Sequence, residues 1–292
     1  MKKLSSLLLM LFVGLAASAQ TQLGLNLKEG ETYKQITNYT SKIKQEVMGQ
    51  SIDMEMLVSG NMNFKVVGIQ GDAYQMQAEY DQLKLSMKMP QMSMEVSSES
   101  GADDHLSRML AEMKNKPFDL VMQKNGQITE VKNVESLWES AFGQFDDISE
   151  AEREQIKAQV MQAYGPDAMK GNIEMVSAIF PDEPVKEGDS WQITTALKAG
   201  MAGDVNSTYT LERLDETEAV LLGDGKFKSD ADNSIETNGM EMTYDMEGSM
   251  NSQIVIDLET GWIKSANIDQ NFKGLTKVEP SAQLPQGMEI PI

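Results

Sequence analysis

Every even-numbered position from 52 to 66 is apolar or glycine: Ile52, Met54, Met56, Val58, Gly60, Met62, Phe64 and Val66. Between them lie Asp53, Glu55, Leu57, Ser59, Asn61, Asn63 and Lys65. A period of two places the apolar set on one face of a strand, whereas a helix would scatter it around its surface. A strand of roughly 15 residues spans about 50 Å, some three times the ordinary length. Such a strand must twist and coil, and the mid-strand Gly60 marks where bending costs least.

The alternation resumes after the Gly71-Asp72 turn in Tyr74, Met76, Ala78 and Tyr80, then slips by one residue near Asp81-Gln82 and continues in Leu83, Leu85, Met87 and Met89. A one-residue slip in a long strand reads as a β-bulge or a tight bend. Pro90 ends the run, and Met92, Met94 and Val96 alternate again. Upstream, Tyr33 to Val47 reads as a weaker first strand closed at Met48-Gly49-Gln50. The C-terminal third repeats the theme: Met240, Met242, Tyr244, Met246, Gly248, Met250, Ile254, Ile256 and Leu258 share one parity, and Thr260-Gly261 turns the chain into Trp262, Ala266, Ile268 and Phe272. Shifted by 188 positions, Met54 meets Met242, Gly60 meets Gly248, Met62 meets Met250, Ala78 meets Ala266, and Asp81-Gln82 meets Asp269-Gln270. A duplicated β-unit is the economical reading, with an extra hairpin (Val205 to Phe227) inside the second copy.

Between the copies the period becomes 3.6. Val134, Leu137, Trp138, Ala141 and Phe142 form a helical stripe, and Trp138 reads as a core anchor on a helix that could plug a half-barrel. Ser149-x-x-Glu152 is a capping box for a second helix carrying Ile156 and Val160. Gly165-Pro166 breaks it, and Met169, Ile173, Val176 and Phe180 suggest a third; a shorter helix covers Leu106 to Met113. The expected fold is α+β: duplicated, long-stranded, curved antiparallel sheets, half-barrel-like, joined by a helical segment. Its divisions are a signal peptide (1–19), a first β-unit with a short helix (20–132), a helical connector (133–180), and a second β-unit with a C-terminal tail (181–292).

Lys2 and Lys3, the apolar Leu4 to Ala16 and the small-x-small site Ala17-Ser18-Ala19 have the order of a secretory signal. The apolar stretch is too short for a membrane span. The expectation is therefore an exported chain starting at Gln20, periplasmic or extracellular. The chain has no cysteine, so disulfides, thiolate metal sites, cysteine nucleophiles and a lipid anchor at the cleavage point are excluded. Loss of Lys2 and Lys3 takes the formal charge from -20 to -22, which disfavours nucleic acid and anionic lipid surfaces as partners. No motif points to a catalytic residue or a cofactor.

The 23 methionines are the main candidates for a site. Met54, Met56, Met62, Met76, Met87, Met89, Met242, Met246 and Met250 lie on the apolar parity. Their adaptable thioether side chains suit the lining of an apolar pocket for a lipid or a lipoprotein acyl chain. Met87-x-Met89-x-x-Met92-x-Met94 also has the sulfur density that soft Cu(I) favours, although each of these residues fits the apolar side of an alternating strand, and packing or pocket lining is the simpler reading. His105 is the only histidine, and it reads as a surface residue at a helix start. Gly188-Asp189-Ser190 echoes an esterase opening but lacks a later histidine. Asp230-x-Asp232-x-Ser234 with Glu241 mimics a calcium loop, yet Ile235 stands where that loop needs glycine. Tyr33, Tyr39, Trp191 and Trp262 read as strand-core residues. Three other functions stay open beside apolar-ligand binding: an envelope scaffold that binds a protein partner, methionine-based copper binding, and a hydrolase using paired carboxylates.

Glu187-Gly188-Asp189-Ser190-Trp191 after Phe180-Pro181, Leu25-x-Leu27-x-x-Gly30-x-x-Tyr33 and Thr260-Gly261-Trp262-Ile263 are turn-and-strand motifs. On these motifs the chain resembles an uncharacterised family of exported, duplicated β-rich proteins of the Gram-negative envelope. The resemblance implies localisation and fold, not an activity. In pattern alone the architecture is similar to the periplasmic lipoprotein-localisation carriers, which implies a half-closed barrel with helices over an apolar groove.

Overall fold

The computed structural model describes residues 20–47, 49–101, 104–142, 149–150, 154, 157, 161, 165–198, 202–230, 234–237, 240–281 and 284–292. The expected signal segment, Asp232 of the calcium-like motif, and Glu152, Ile156 and Val160 of the expected second connector helix lie outside the described residues.

The molecule is mostly β, built from two open antiparallel sheets. The first holds β1 (Thr32–Val47), β2 (Gln50–Gln70), β3 (Ala73–Met89), β4 (Met92–Ser97), β5 (Phe118–Gln123) and β6 (Ile128–Lys132). Its order is β1-β2-β3-β5-β6, with β4 also paired to β3. β5 pairs with β3 from Ala73 to Ala78, and β4 pairs with it from Lys84 to Met89. The second sheet holds β7 (Ser190–Leu197), β8 (Gly203–Leu214), β9 (Glu218–Ser229), β10 (Ser234–Thr237), β11 (Met240–Asp257), β12 (Ile263–Val278) and β13 (Met288–Pro291). It runs β13-β12-β11-β9-β8-β7, with β10 on β11. The long strands read from the alternation are real: β2 has 21 residues and β11 has 18.

The phase slip is a β-bulge. Asn61 pairs with Gln82 and Met62 with Tyr80, which leaves Asp81 as the extra residue. The bulge turns Leu83, Leu85 and Met87 onto the face carrying Gly60, Val58 and Met56. A second bulge leaves Val67 extra between Val66 and Gly68.

Three helices are described. α1 (His105–Met113) is capped by Asp104, whose side chain accepts the Ser107 N–H at 2.8 Å. That backbone bond holds the Asp104 carboxyl below its ordinary range. α2 (Val134–Phe142) buries Val134, Leu137, Trp138, Ala141 and Phe142, the stripe read from the sequence. α3 (Pro166–Ser177) starts with proline in its first turn, where a missing N–H costs nothing. It buries Ala168, Met169 and Ile173.

One apolar core serves both sheets. It joins Phe64, Met76 and Leu120 of the first with Tyr209, Leu221, Ile254 and Ile256 of the second, and α2 and α3 contribute Leu137, Trp138 and Ile173. An extended segment, residues 21–27, threads between the sheets and buries Leu23, Leu25 and Leu27. Its backbone bonds to both: Leu25 N–H reaches Lys124 O, while Asn26 N–H reaches Thr260 O and Thr21 pairs with Val185. Tyr74 adds a clamp, its hydroxyl donating to Leu25 O at 2.8 Å. Gly261 is required at the crossing. Its φ is +70°, and a Cβ there would lie 2.2 Å from Gly24 O.

Candidate functional site: an apolar groove between the sheets

β1 is the outer strand of the first sheet. Trp262 reaches it from the second sheet, its ring 5.2 Å from Tyr33 and 5.6 Å from Phe64, and its indole N–H donates to Lys34 O at 3.0 Å. Beyond this joint the sheets part. A groove of about 460 Å³ opens there, with β1 from Lys34 to Tyr39 on one side and β12 from Ile263 to Gln270 on the other. The end of α3, at Met175 and Val176, forms part of its wall, with Leu25, Met122 and Phe180. Its lining is mainly apolar, with polar side chains from Lys34, Gln35, Thr37, Asn38, Lys264 and Gln270 among others. The volume is within the range of small-molecule sites.

The predicted methionines distribute over three places. Met76 is fully buried in the shared core, and Met62 packs against it. Met246 and Met250 are buried in a second, smaller cluster with Val205 and Phe227. Met175 and Ile268 pack on that cluster and also line the groove, so Met246 and Met250 back its wall without lining it. Met242 is half-buried toward the end of β11 that pairs with β10. Met54, Met56, Met87 and Met89 are half-buried on the far ends of β2 and β3 and belong to neither cluster. None of the nine lines the groove.

The residues that do line it follow from contacts between segments more than 200 positions apart. Sequence motifs and alternation single out several of them, Leu25, Tyr39, Phe180, Trp262, Ala266 and Ile268 among them, but as turn, strand or helix residues and not as one site. Tyr39 departs from its expected core role: at 41% exposed it stands at the groove, on the rim strand. Trp191 does anchor the core side of β7, its N–H donating to Ile179 O at 3.0 Å.

A second concavity, of about 510 Å³, is lined by Asn125, Gln127, Phe180, Trp191 and the carboxylates of Asp182, Glu183 and Asp189. Asp182 and Glu183 are exposed. Asp189 accepts the Lys186 N–H at 3.0 Å, and Ser190 shares a hydroxyl contact of 2.7 Å with Thr210, so Gly188-Asp189-Ser190 works as a turn and strand start. His105 is exposed, its Nδ1 2.9 Å from an Arg108 guanidinium nitrogen. Among the described residues no three His, Cys, Asp or Glu side chains gather into a metal-binding group. No helix among them is long and apolar enough to cross a membrane.

A family model described as a family of unknown function (DUF6263) matches residues 71–263, about two thirds of the chain. No curated protein and no solved structure matches.

Proposed function

We propose that this protein, which belongs to the family of unknown function DUF6263, holds a long-chain apolar ligand such as an acyl chain in the groove between its sheets, without catalysis. The observation that carries this reading is the groove itself, where Tyr39, Met175, Trp262, Ile263 and Ile268 face an opening of about 460 Å³. Each buried methylene contributes about 0.8 kcal/mol. About sixteen of them, the length of a long acyl chain, would give roughly 13 kcal/mol, which leaves about 8 kcal/mol, or micromolar binding, after an association cost of about 5 kcal/mol. Lys34 at the rim is the cation that a carboxylate head would meet. Export through residues 1–19 would place the protein where envelope lipids and lipoproteins pass.

The same reading takes the two sheets as diverged copies. β1-β2-β3-β5 and β9-β11-β12-β13 occupy corresponding places in their sheets, and β2–β3 overlies β11–β12 in the 188-residue shift. The copies differ in register. Asn251 pairs with Asp269, whereas the equivalent Asn63 pairs with Glu79, two residues away from Asp81.

Titration of the full-length protein with a fluorescent long-chain fatty acid tests the proposal. Saturable binding is expected, weakened at least 10-fold in Ala266→Trp, because Ala266 lies in the groove wall and is exposed. Absent binding, or equal affinity in a folded Ala266→Trp variant, would overturn it.

A further inference from the structure

The far ends of β2, β3 and β4 carry methionines in register. Met56 pairs with Met87, and Met87 pairs on its other side with Met94. Three thioethers thus stand side by side on one face of three adjacent strands, with cross-strand Cβ atoms about 4.5–5.5 Å apart. Two residues outward on the same face, Met89 pairs with Met92, and Met54 lies in the same outer row. The six form a block two rows deep. Inward of this block the same face carries no sulfur in its next row: Tyr39 pairs with Val58, Val58 with Leu85, and Leu85 with Val96.

Cover on this face comes from α1, at its β4 edge. α1 packs on β4, its Ser107 hydroxyl accepting the Ser97 N–H at 3.3 Å, and Val96 is buried. Away from that edge the face is open: Tyr39 is exposed and Val58 and Leu85 are half-buried. Met54, Met56, Met87, Met89 and Met94 are half-buried, and Met92 is 52% exposed. These residues belong to neither hydrophobic cluster and line neither cavity. Val58 and Leu85 stand equally outside both clusters and are equally half-buried, so at this level of cover the chain uses Leu and Val for apolar bulk, and burial does not account for six methionines in its place. Six sulfurs in two adjacent rows are what set this block apart from its equally half-covered neighbours Val58 and Leu85.

We propose that Met56, Met87 and Met94, extended by Met54, Met89 and Met92, form an all-thioether site for a soft monovalent cation, Cu(I). Thioethers are neutral, soft donors that select Cu(I) over the harder divalent ions. Methionine has three rotatable side-chain bonds, which let neighbouring sulfurs converge from a flat sheet. The carboxylates of this region, Asp53, Glu55 and Glu95, alternate with the methionines and so point to the opposite face. Hard oxygen ligands are thus kept away from the sulfurs, while a net charge of -20 still attracts a cation over longer range.

The test is an anaerobic titration of the full-length protein with Cu(I) against a coloured Cu(I) chelator, with X-ray absorption at the copper edge. Wild type is expected to hold Cu(I) against the chelator with a sulfur-only shell. The triple variant Met56→Leu/Met87→Leu/Met94→Leu conserves side-chain volume and should keep the fold. It is expected to lose at least 10-fold in Cu(I) affinity, with an unchanged circular dichroism spectrum. His105→Asn is expected to bind as wild type does. Cu(I) surrendered by wild type as readily as by the triple variant, retention undiminished in that variant, or loss in His105→Asn would each overturn the proposal.

Discussion

Tyr80 sits at the bulge opposite Met62, its ring 6.4 Å from Phe118, and burial pushes its phenol up to about 12. An unfolded chain ionises the same group near pH 10. From about that pH the unfolded state releases the proton first and is stabilised relative to the fold. The contribution of Tyr80 is therefore complete below pH 10 and is lost between about 10 and 12. Denaturant unfolding across this window should show a decline in stability that is shallower in Tyr80→Phe. Burial shifts Tyr209 and Tyr244 in the same direction, so the variant removes only part of the slope. An identical slope in wild type and variant would show that Tyr80 ionises as freely in the fold as in the open chain.

At the level of elements, the first sheet has two halves of different character. Phe64, Val66, Tyr74, Met76 and Ala78 are buried at the core end of β2 and β3, whereas beyond Asn61 and Asp81 none of the residues of those two strands is. Few buried contacts mean low local stability. Amides from residue 50 to 60 should exchange with deuterium well before those from 62 to 66 in the same strand; uniform protection along β2 would refute this. Much at this scale was legible in the sequence. The parity of residues 52–66 and the slip at Asp81 are local consequences of the pleat, and α1 to α3 follow from helical stripes and the Gly165-Pro166 break. The hairpin β5–β6 was also readable, because Asn125-Gly126 sits in a turn that follows alternating Phe118, Leu120 and Met122, yet it is absent from the expectations. The groove was not readable. Its walls are Lys34 to Tyr39 and Ile263 to Gln270, and no local period reports a contact across such a separation. Nor could parity tell which methionines are covered, since buried Met76 and half-open Met87 obey the same alternation.

For the whole molecule, the decisive fact is that one core cluster contains side chains of both sheets. The sheets should unfold together in a single calorimetric transition despite their separate hydrogen-bond networks. Gly261→Ala, which forces a side chain against Gly24 at a positive φ, should lower the midpoint of that one transition, by roughly 2–3 kcal/mol of stability. Two resolved transitions would mean that the sheets are independent bodies. The threaded segment also carries a consequence in time. Asn26 donates to Glu259 O, 233 residues along the chain, so Leu23, Leu25 and Leu27 cannot be covered on both sides until the chain has been made at least as far as the turn after β11. Contacts of such high sequence separation form late. Until then these three leucines travel as an exposed apolar strip, the kind of surface that a holding chaperone grips and that aggregates when none is at hand.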